Sequence, residues 1–210
     1  MKPKRIILIR HGESEGNEDR TIYQKKPDHK LVLTAKGREQ ADKAGDELKE
    51  LIRGESIHYY ISPHERSRET WRGLVVWNVG TKMYEDPRLR EQDWGHLRSP
   101  EETAKLQKER YEYGTFYFRF PNGESGADVY DRVTTFLDTL HRDFQRDDYP
   151  DNAIIVTHGL TIRLFIMRWF HKTVEEFESW DNPGNCQYFI MQRKGNVYEM
   201  PSMPKVNGYD

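Results

Sequence analysis

Three short apolar runs constrain this chain most, because none of them alternates. They are RIILIR at residues 5–10, IHYYI at 57–61 and AIIVT at 153–157. An amphipathic helix spaces its apolar residues three and four apart, and a strand with one wet face alternates. A short continuous run fits a strand buried on both faces, as in a parallel sheet covered by helices. Each run also ends in polar chemistry. The first stops at Arg10-His11-Gly12 and the third at His158-Gly159, while the second passes through a turn into the basic stretch HERSRET.

Helical patterns lie between the runs. Residues 35–53 place Ala41, Ala44, Leu48 and Leu51 on one face, with Glu39 and Lys43 paired one turn apart outside. Residues 125–146 repeat the pattern with Val129, Val133, Phe136, Leu137, Leu140 and Phe144. In SPEE, Ser99 is the expected N-cap, Pro100 the first helical residue and Glu102 the closing member of a capping box, with Gly114 as the stop. After His158, a helix carries Ile162, Phe165, Ile166 and Trp169. NCQYFIMQRKGNVYEM reads as a strand, a turn at Gly195-Asn196 and a second strand, with Cys186 a buried strand residue. Strand–helix alternation of this kind predicts a three-layer α/β/α sandwich with a mostly parallel central sheet. The whole chain, residues 1–210, is expected to form a single domain.

Ligands of such sheets sit outside the carboxyl ends of the strands. Arg10-His11, Arg66 and His158 all follow such ends and can meet in one crevice. Two arginines and two histidines suit a tetrahedral dianion, since guanidinium forks match phosphate oxygens and stay charged. A neutral imidazole nitrogen can also attack phosphorus. Transfer to water needs a proton for a poor leaving group, and Glu91 in LREQDWGHL is the candidate donor. Asp93 and Glu13 are the alternatives.

The pattern resembles a known family. RHGESEGN is similar to the signature of the histidine phosphatase superfamily, the phosphoglycerate-mutase-like fold. The similarity continues in family order through LTAKGREQA, SPHERSRET, LREQDWG, FPNGESGADVYDRV and VTHGLTIR, over residues 4–192. The resemblance implies that His11 is the nucleophile, that Arg10, Arg66 and His158 form the phosphate pocket, that Glu91 is the proton donor, and that Asn17 lines the pocket. His-Gly rather than His-Asp in the last motif resembles the mutase-related branch. The EQDWG and FYFRFPNGES stretches resemble the phosphoglycerate-mutase-like proteins of plants and fungi. TIYQKKPDHK stands where glycolytic mutases carry a Phe-Thr-Gly-Trp-like stretch, and their long basic clamp has no counterpart, so hydrolysis is expected over isomerisation.

The expected activity is a metal-independent phosphomonoesterase acting through a phosphohistidine on a small phosphate ester, with no cofactor. The alternatives are a cofactor-primed phosphoglycerate mutase and a non-catalytic phospho-ligand-binding module. HERSR lacks the second histidine of a metalloprotease motif, and the other histidines lack ligand spacing, so no metal is expected. The net charge of −2 gives no electrostatic reason for a nucleic-acid or membrane partner. No apolar stretch approaches the roughly 20 residues of a membrane span. The N-terminal apolar run is shorter than the roughly 7–15 residues of a signal sequence. A single cysteine fits a reducing compartment, so a cytoplasmic location is expected. Nothing in the pattern specifies an oligomeric state. Segments at about 20–30 and 92–125 are the expected lids, with Lys25, Lys26 and Arg119 as possible specificity contacts. Arg68 and Arg72 are expected on a solvated helix face.

Overall fold

The three runs lie side by side in the computed structural model, which describes residues 2–75, 83–96 and 99–206. Strand β1 (Arg5–Arg10) pairs in parallel with β4 (Asn152–Thr157), and β4 pairs in parallel with β2 (Ile57–Ile61). A three-residue edge strand, β3 (Met83–Glu85), runs parallel beyond β2. On the other side, β5 (Tyr188–Lys194) is antiparallel to β1, and β6 (Val197–Tyr198) returns along it. The order is β3-β2-β4-β1-β5-β6.

The helices are α1 (Glu15–Glu18), α2 (Ala35–Ile52), α3 (Glu65–Leu74), α4 (Pro100–Tyr113), α5 (Gly126–Asp143), α6 (Gly159–Trp169) and α7 (Val174–Glu178). Side chains of β1 and β4 alternate between two cores. Ile6, Leu8, Ala153 and Ile155 pack with residues of α5 and α6, whereas Ile7, Ile9, Ile154 and Val156 pack with residues of α2 and α3. This two-sided burial explains the unalternating runs and gives the expected mostly parallel α/β/α sandwich. Among the described residues, no helix is long and apolar enough to cross a membrane.

Local signals set most helix ends. Thr34 caps α2 by accepting from the Gly37 N–H at 3.0 Å, and Ser125 and Asp128 form a reciprocal capping box on α5. Ser99 caps α4 through the Glu102 N–H, but the expected capping box does not close. Instead the Ser99 hydroxyl bonds the Glu101 carboxylate. Gly114 ends α4 at φ 103°. Cys186 is buried as expected but lies in a turn before β5, at φ 54°. There its N–H bonds back to the Arg10 and His11 carbonyls, so the end of β1 dictates its conformation.

Gly12 and Gly37 bring the turn after β1 against the first turn of α2. A Cβ on Gly37 would land on the Glu13 carbonyl oxygen, and one on Gly12 on the Gly37 carbonyl oxygen. In an open helix, Gly→Ala stabilises by up to about 1 kcal/mol. Here the sign is reversed: Gly37→Ala should destabilise by about 1–3 kcal/mol through overpacking. Thermal unfolding should show a Tm lower by roughly 2–10 °C, and a raised Tm would refute this packing.

Candidate active site

The parallel register of β1 and β4 places Arg10 opposite Thr157, and the His11 N–H bonds the Thr157 carbonyl at 3.0 Å. The residues leaving both strands are therefore neighbours. The His11 and His158 rings meet edge to face with centroids 5.2 Å apart, and His64, just past β2, meets His158 the same way at 5.0 Å. His158 and His64 occupy the N-cap positions of α6 and α3.

Hydrogen bonds fix the tautomer of His11. Its Nδ1 lies 2.7 Å from the Gly12 carbonyl oxygen, which only accepts, so Nδ1 carries the proton. Its Nε2 lies 3.2 Å from Arg66 Nε, which only donates, so Nε2 keeps its lone pair. Burial pushes the imidazole pKa well below its usual near-neutral value, and the guanidiniums of Arg66 and Arg10 push it further. The ring is thus buried and neutral, and it lines the cavity described below.

His158 is fully buried and also held neutral, by burial first and then Arg66. Its Nε2 is 2.8 Å from Ser62 Oγ. Its Nδ1 is 3.6 Å from Glu91 Oε2 and has no hydrogen-bond partner, leaving a site for a ligand oxygen. Glu91 accepts from the Gln92 N–H at 2.9 Å, and burial raises its pKa despite the opposing charges of Arg66 and Arg10. Glu91 therefore holds a proton to higher pH than an ordinary carboxyl. The neighbouring arginines are engaged elsewhere, Arg90 with Glu124 and Arg88 with Asp86.

One ligand atom each from His11, Glu91 and His158 lies within 4.8 Å of the others, a spacing that fits a cation or a phosphoryl group. Arg10 and Arg66 decide between them, because two fixed cations favour an anion and oppose a metal ion. Arg10 Nη1 donates to the Pro183 carbonyl. Arg66 is buried and bound end-on by Asp28: Nη1 reaches Oδ1 at 3.0 Å and the Asp28 carbonyl at 2.8 Å, and Nη2 reaches Oδ2 at 3.2 Å. This grip turns the Nε edge of Arg66 toward His11. Asn17 Oδ1 accepts from Ser14 and Asn185, leaving its Nδ2 hydrogens as unused donors.

Arg10, His11, Asn17, Arg66 and Glu91 line a cavity of about 830 Å³, and His158, fully buried, packs against His11. One wall is the stretch from Arg20 to His29, and the other is residues 92–96 with Thr103, Gln107 and Arg110 of α4. Arg20 Nη1 bonds Gln107 Oε1 at 2.7 Å and joins the two walls. Both sequence-level lid segments thus reach the cavity, although positions 97–98 lie outside the described residues. Lys25 and Lys26 line it, with Lys26 paired to Glu15. Arg119 does not; it binds Asp128 at 2.7 Å, which corrects its reading as a specificity contact. Arg68 and Arg72 form ion pairs with Glu65, as a solvated face would.

Asp28, His64, Ser62 and Arg110 escaped the sequence reading. His64 Nδ1 comes within 3.3 Å of Asp28 Oδ2 but is not aligned for a hydrogen bond, and burial lowers its pKa to about 4. Burial also pushes the Cys186 thiol up to about 12, so it is no nucleophile at neutral pH.

Comparisons with known proteins show the family and the fold. The family model for the histidine phosphatase superfamily (branch 1) matches residues 6–203. A phosphoglycerate mutase-like protein of Arabidopsis thaliana is 42% identical over 91% of this chain and 75% of its own length. A broad-range acid phosphatase of Saccharomyces cerevisiae is 31% identical over 91% and 86%. A mycobacterial glucosyl-3-phosphoglycerate phosphatase solved with vanadate shares the fold, with TM-score 0.75 and 19% identity over 97% of this chain and 100% of that one.

The lowered pKa values give a testable pH dependence. The unfolded chain binds protons at these histidines near pH 6.5, and the folded chain only well below it. Their contribution to stability is complete above the unfolded value and is lost as pH falls. Nitrogen NMR should show His11 as the neutral Nδ1–H tautomer at about pH 6. Arg66→Gln should raise its pKa by removing a neighbouring cation. Titration of wild-type His11 at an ordinary 6.5 would refute this electrostatic account.

Proposed function

The chain belongs to branch 1 of the histidine phosphatase superfamily, and from that premise we propose that it is a metal-independent phosphomonoesterase acting on small phosphate esters through a phosphohistidine. The observation that carries this reading is the locked tautomer of His11, whose Nε2 lone pair accepts from Arg66 Nε on the lining of a cavity that also holds Glu91. The acid phosphatase among its relatives supports hydrolysis as the outcome.

In the first step His11 Nε2 forms a bond to phosphorus as the bond to the ester oxygen breaks. Arg10, Asn17, Arg66 and His158 bind the three non-bridging oxygens, which carry the transition-state charge. The His158 Nδ1, which has no hydrogen-bond partner within the protein, meets one of them. Glu91, whose proton burial holds to higher pH than an ordinary carboxyl, gives that proton to the departing alcohol. Its carboxylate then takes a proton from water as that water attacks the phosphohistidine. Phosphate leaves, and His11 and Glu91 regain their starting protonation states. Asp28 holds Arg66 in the orientation this sequence needs.

Release of phosphate from p-nitrophenyl phosphate, measured with chelator present, should fall at least roughly 10³-fold in His11→Ala. Persistence of the rate in that variant would overturn the mechanism. A rapid acid-labile, alkali-stable phosphoenzyme should appear in wild type and be absent from His11→Ala. No release by folded wild type would favour the primed mutase, read by isomerisation of 3-phosphoglycerate.

The pH profile should be bell-shaped and displaced to the acid side. Its acid limb is the protonation of His11, which is depressed, and its alkaline limb the ionisation of Glu91, which is raised. Glu91→Gln should remove the alkaline limb and slow alkyl esters by about 10²–10⁴-fold, with a smaller loss on activated aryl esters. Equal losses on both ester types would assign Glu91 a positional role instead.

A further inference from the structure

The structure points to a substrate class: we infer that the preferred phosphate esters carry a second oxyanion on their alcohol, and that Arg110 binds it. This rests on the phosphomonoesterase reading above and extends it to the half of the cavity that faces the leaving group.

Arg110 stands in the last turn of α4, and its guanidinium lines the cavity. It lies 5.6 Å from the ring centroids of both Trp94 and Phe120, which are themselves stacked 4.6 Å apart. These rings hold the side chain in place without neutralising it. Its one hydrogen bond is from Nη2 to Gln92 Oε1 at 3.1 Å. The Nε–H is buried and has no acceptor. Among the described residues, no carboxylate lies within ion-pair distance of it.

The other arginines of the cavity are differently placed. Arg66 is bound by Asp28 and Arg90 by Glu124, while Arg20 is tied to Gln107 at the mouth. Arg10 is also without a carboxylate partner, and it stands at the phosphoryl site beside His11. Arg110 is thus a second half-buried cation without a carboxylate partner among the described residues, its Nε–H buried, in a part of the cavity the transferred phosphoryl group does not occupy. The nearest acids, Glu91 and Glu178, act on it only at a distance, and Arg163 behind it adds positive charge. A desolvated guanidinium is costly unless an anion completes it.

Position identifies which part of the substrate supplies that anion. Arg110 is bonded to Gln92, whose neighbour Glu91 faces the departing oxygen in the proposed reaction. It therefore addresses the alcohol. A planar fork with an unused Nε–H suits a carboxylate or a second phosphate. Both share one recognition chemistry, an oxyanion with two accepting oxygens.

Three esters of one alkyl skeleton test the assignment: 3-phosphonooxypropanoate, its primary amide, and propane-1,3-diyl bisphosphate. In wild type, kcat/KM for at least one anionic ester should exceed that of the amide by about 10- to 100-fold, the range of a charge-assisted hydrogen bond. The leading ester identifies the group as carboxylate or phosphate. In Arg110→Gln that ratio should fall to roughly 1, with Arg110→Lys between, since it keeps the charge and loses the fork. Arg110→Met preserves the unbranched stem against Trp94 and Phe120 and decides the matter if the glutamine variant does not fold. A wild-type ratio near 1, or one that persists without Arg110, overturns the assignment. Failure of wild type to hydrolyse even p-nitrophenyl phosphate would instead sink the phosphatase reading. Calorimetry with the phosphonate analogues of the acid and the amide then measures the same preference as a ratio of Kd values, and equal Kd values would refute it.

Discussion

Parallel pairing of β1 with β4 is the constraint on which the site depends. Both strands are internal to the sheet and buried on both faces, so their registry is fixed by two cores at once. A slip of one residue would send Ile7 and Ile9 to the opposite core and carry His11 away from His158. The pairing continues one hydrogen bond beyond the strand, from the His11 N–H to the Thr157 carbonyl. Two histidines 147 positions apart in the sequence are thereby juxtaposed by main chain alone.

The cavity accordingly has a floor and walls of different origin. Main-chain groups orient the floor: the Gly12 carbonyl sets the His11 tautomer, and close approach of Gly12 to Gly37 sets the turn that carries it. The same burial lowers the pKa of both imidazoles and raises that of Glu91, so one desolvated environment disfavours the charged form of all three groups. The walls come from the early 3-10 segment and from α4, whose exposed face is polar and charged. Their contribution is made by long side chains such as Arg110 and Lys25, which line the cavity.

Sequence patterns revealed the floor more fully than the walls. Unalternating runs, caps and ordered motifs pointed to the sheet, to the main helices and to Arg10, His11, Asn17, Arg66, Glu91 and His158, all of which line one cavity or its base. The resemblance singled out Arg66 from Arg68 and Arg72, and the fold agrees, burying Arg66 and pairing the other two with Glu65. Asp28 sits in a stretch of ordinary loop composition, and its value lies entirely in reaching Arg66 across 38 positions. Arg110 looks like one more charge on a polar helix until Trp94 and Phe120 are placed beneath it. Strand β3 is too short to show a period, and Cys186 sits in an apolar stretch that resembles a strand but begins with a turn.

The bond between Arg20 and Gln107 has a consequence for traffic through the cavity. Among the described hydrogen bonds it alone joins the two walls, and it is made by exposed side chains. Such a bond contributes about 1 kcal/mol, so the separated arrangement is present at roughly one part in six. Exposed side chains exchange rotamers within about nanoseconds. A ligand arriving at this mouth is therefore delayed by about nanoseconds, so the latch does not meter the flow into the cavity.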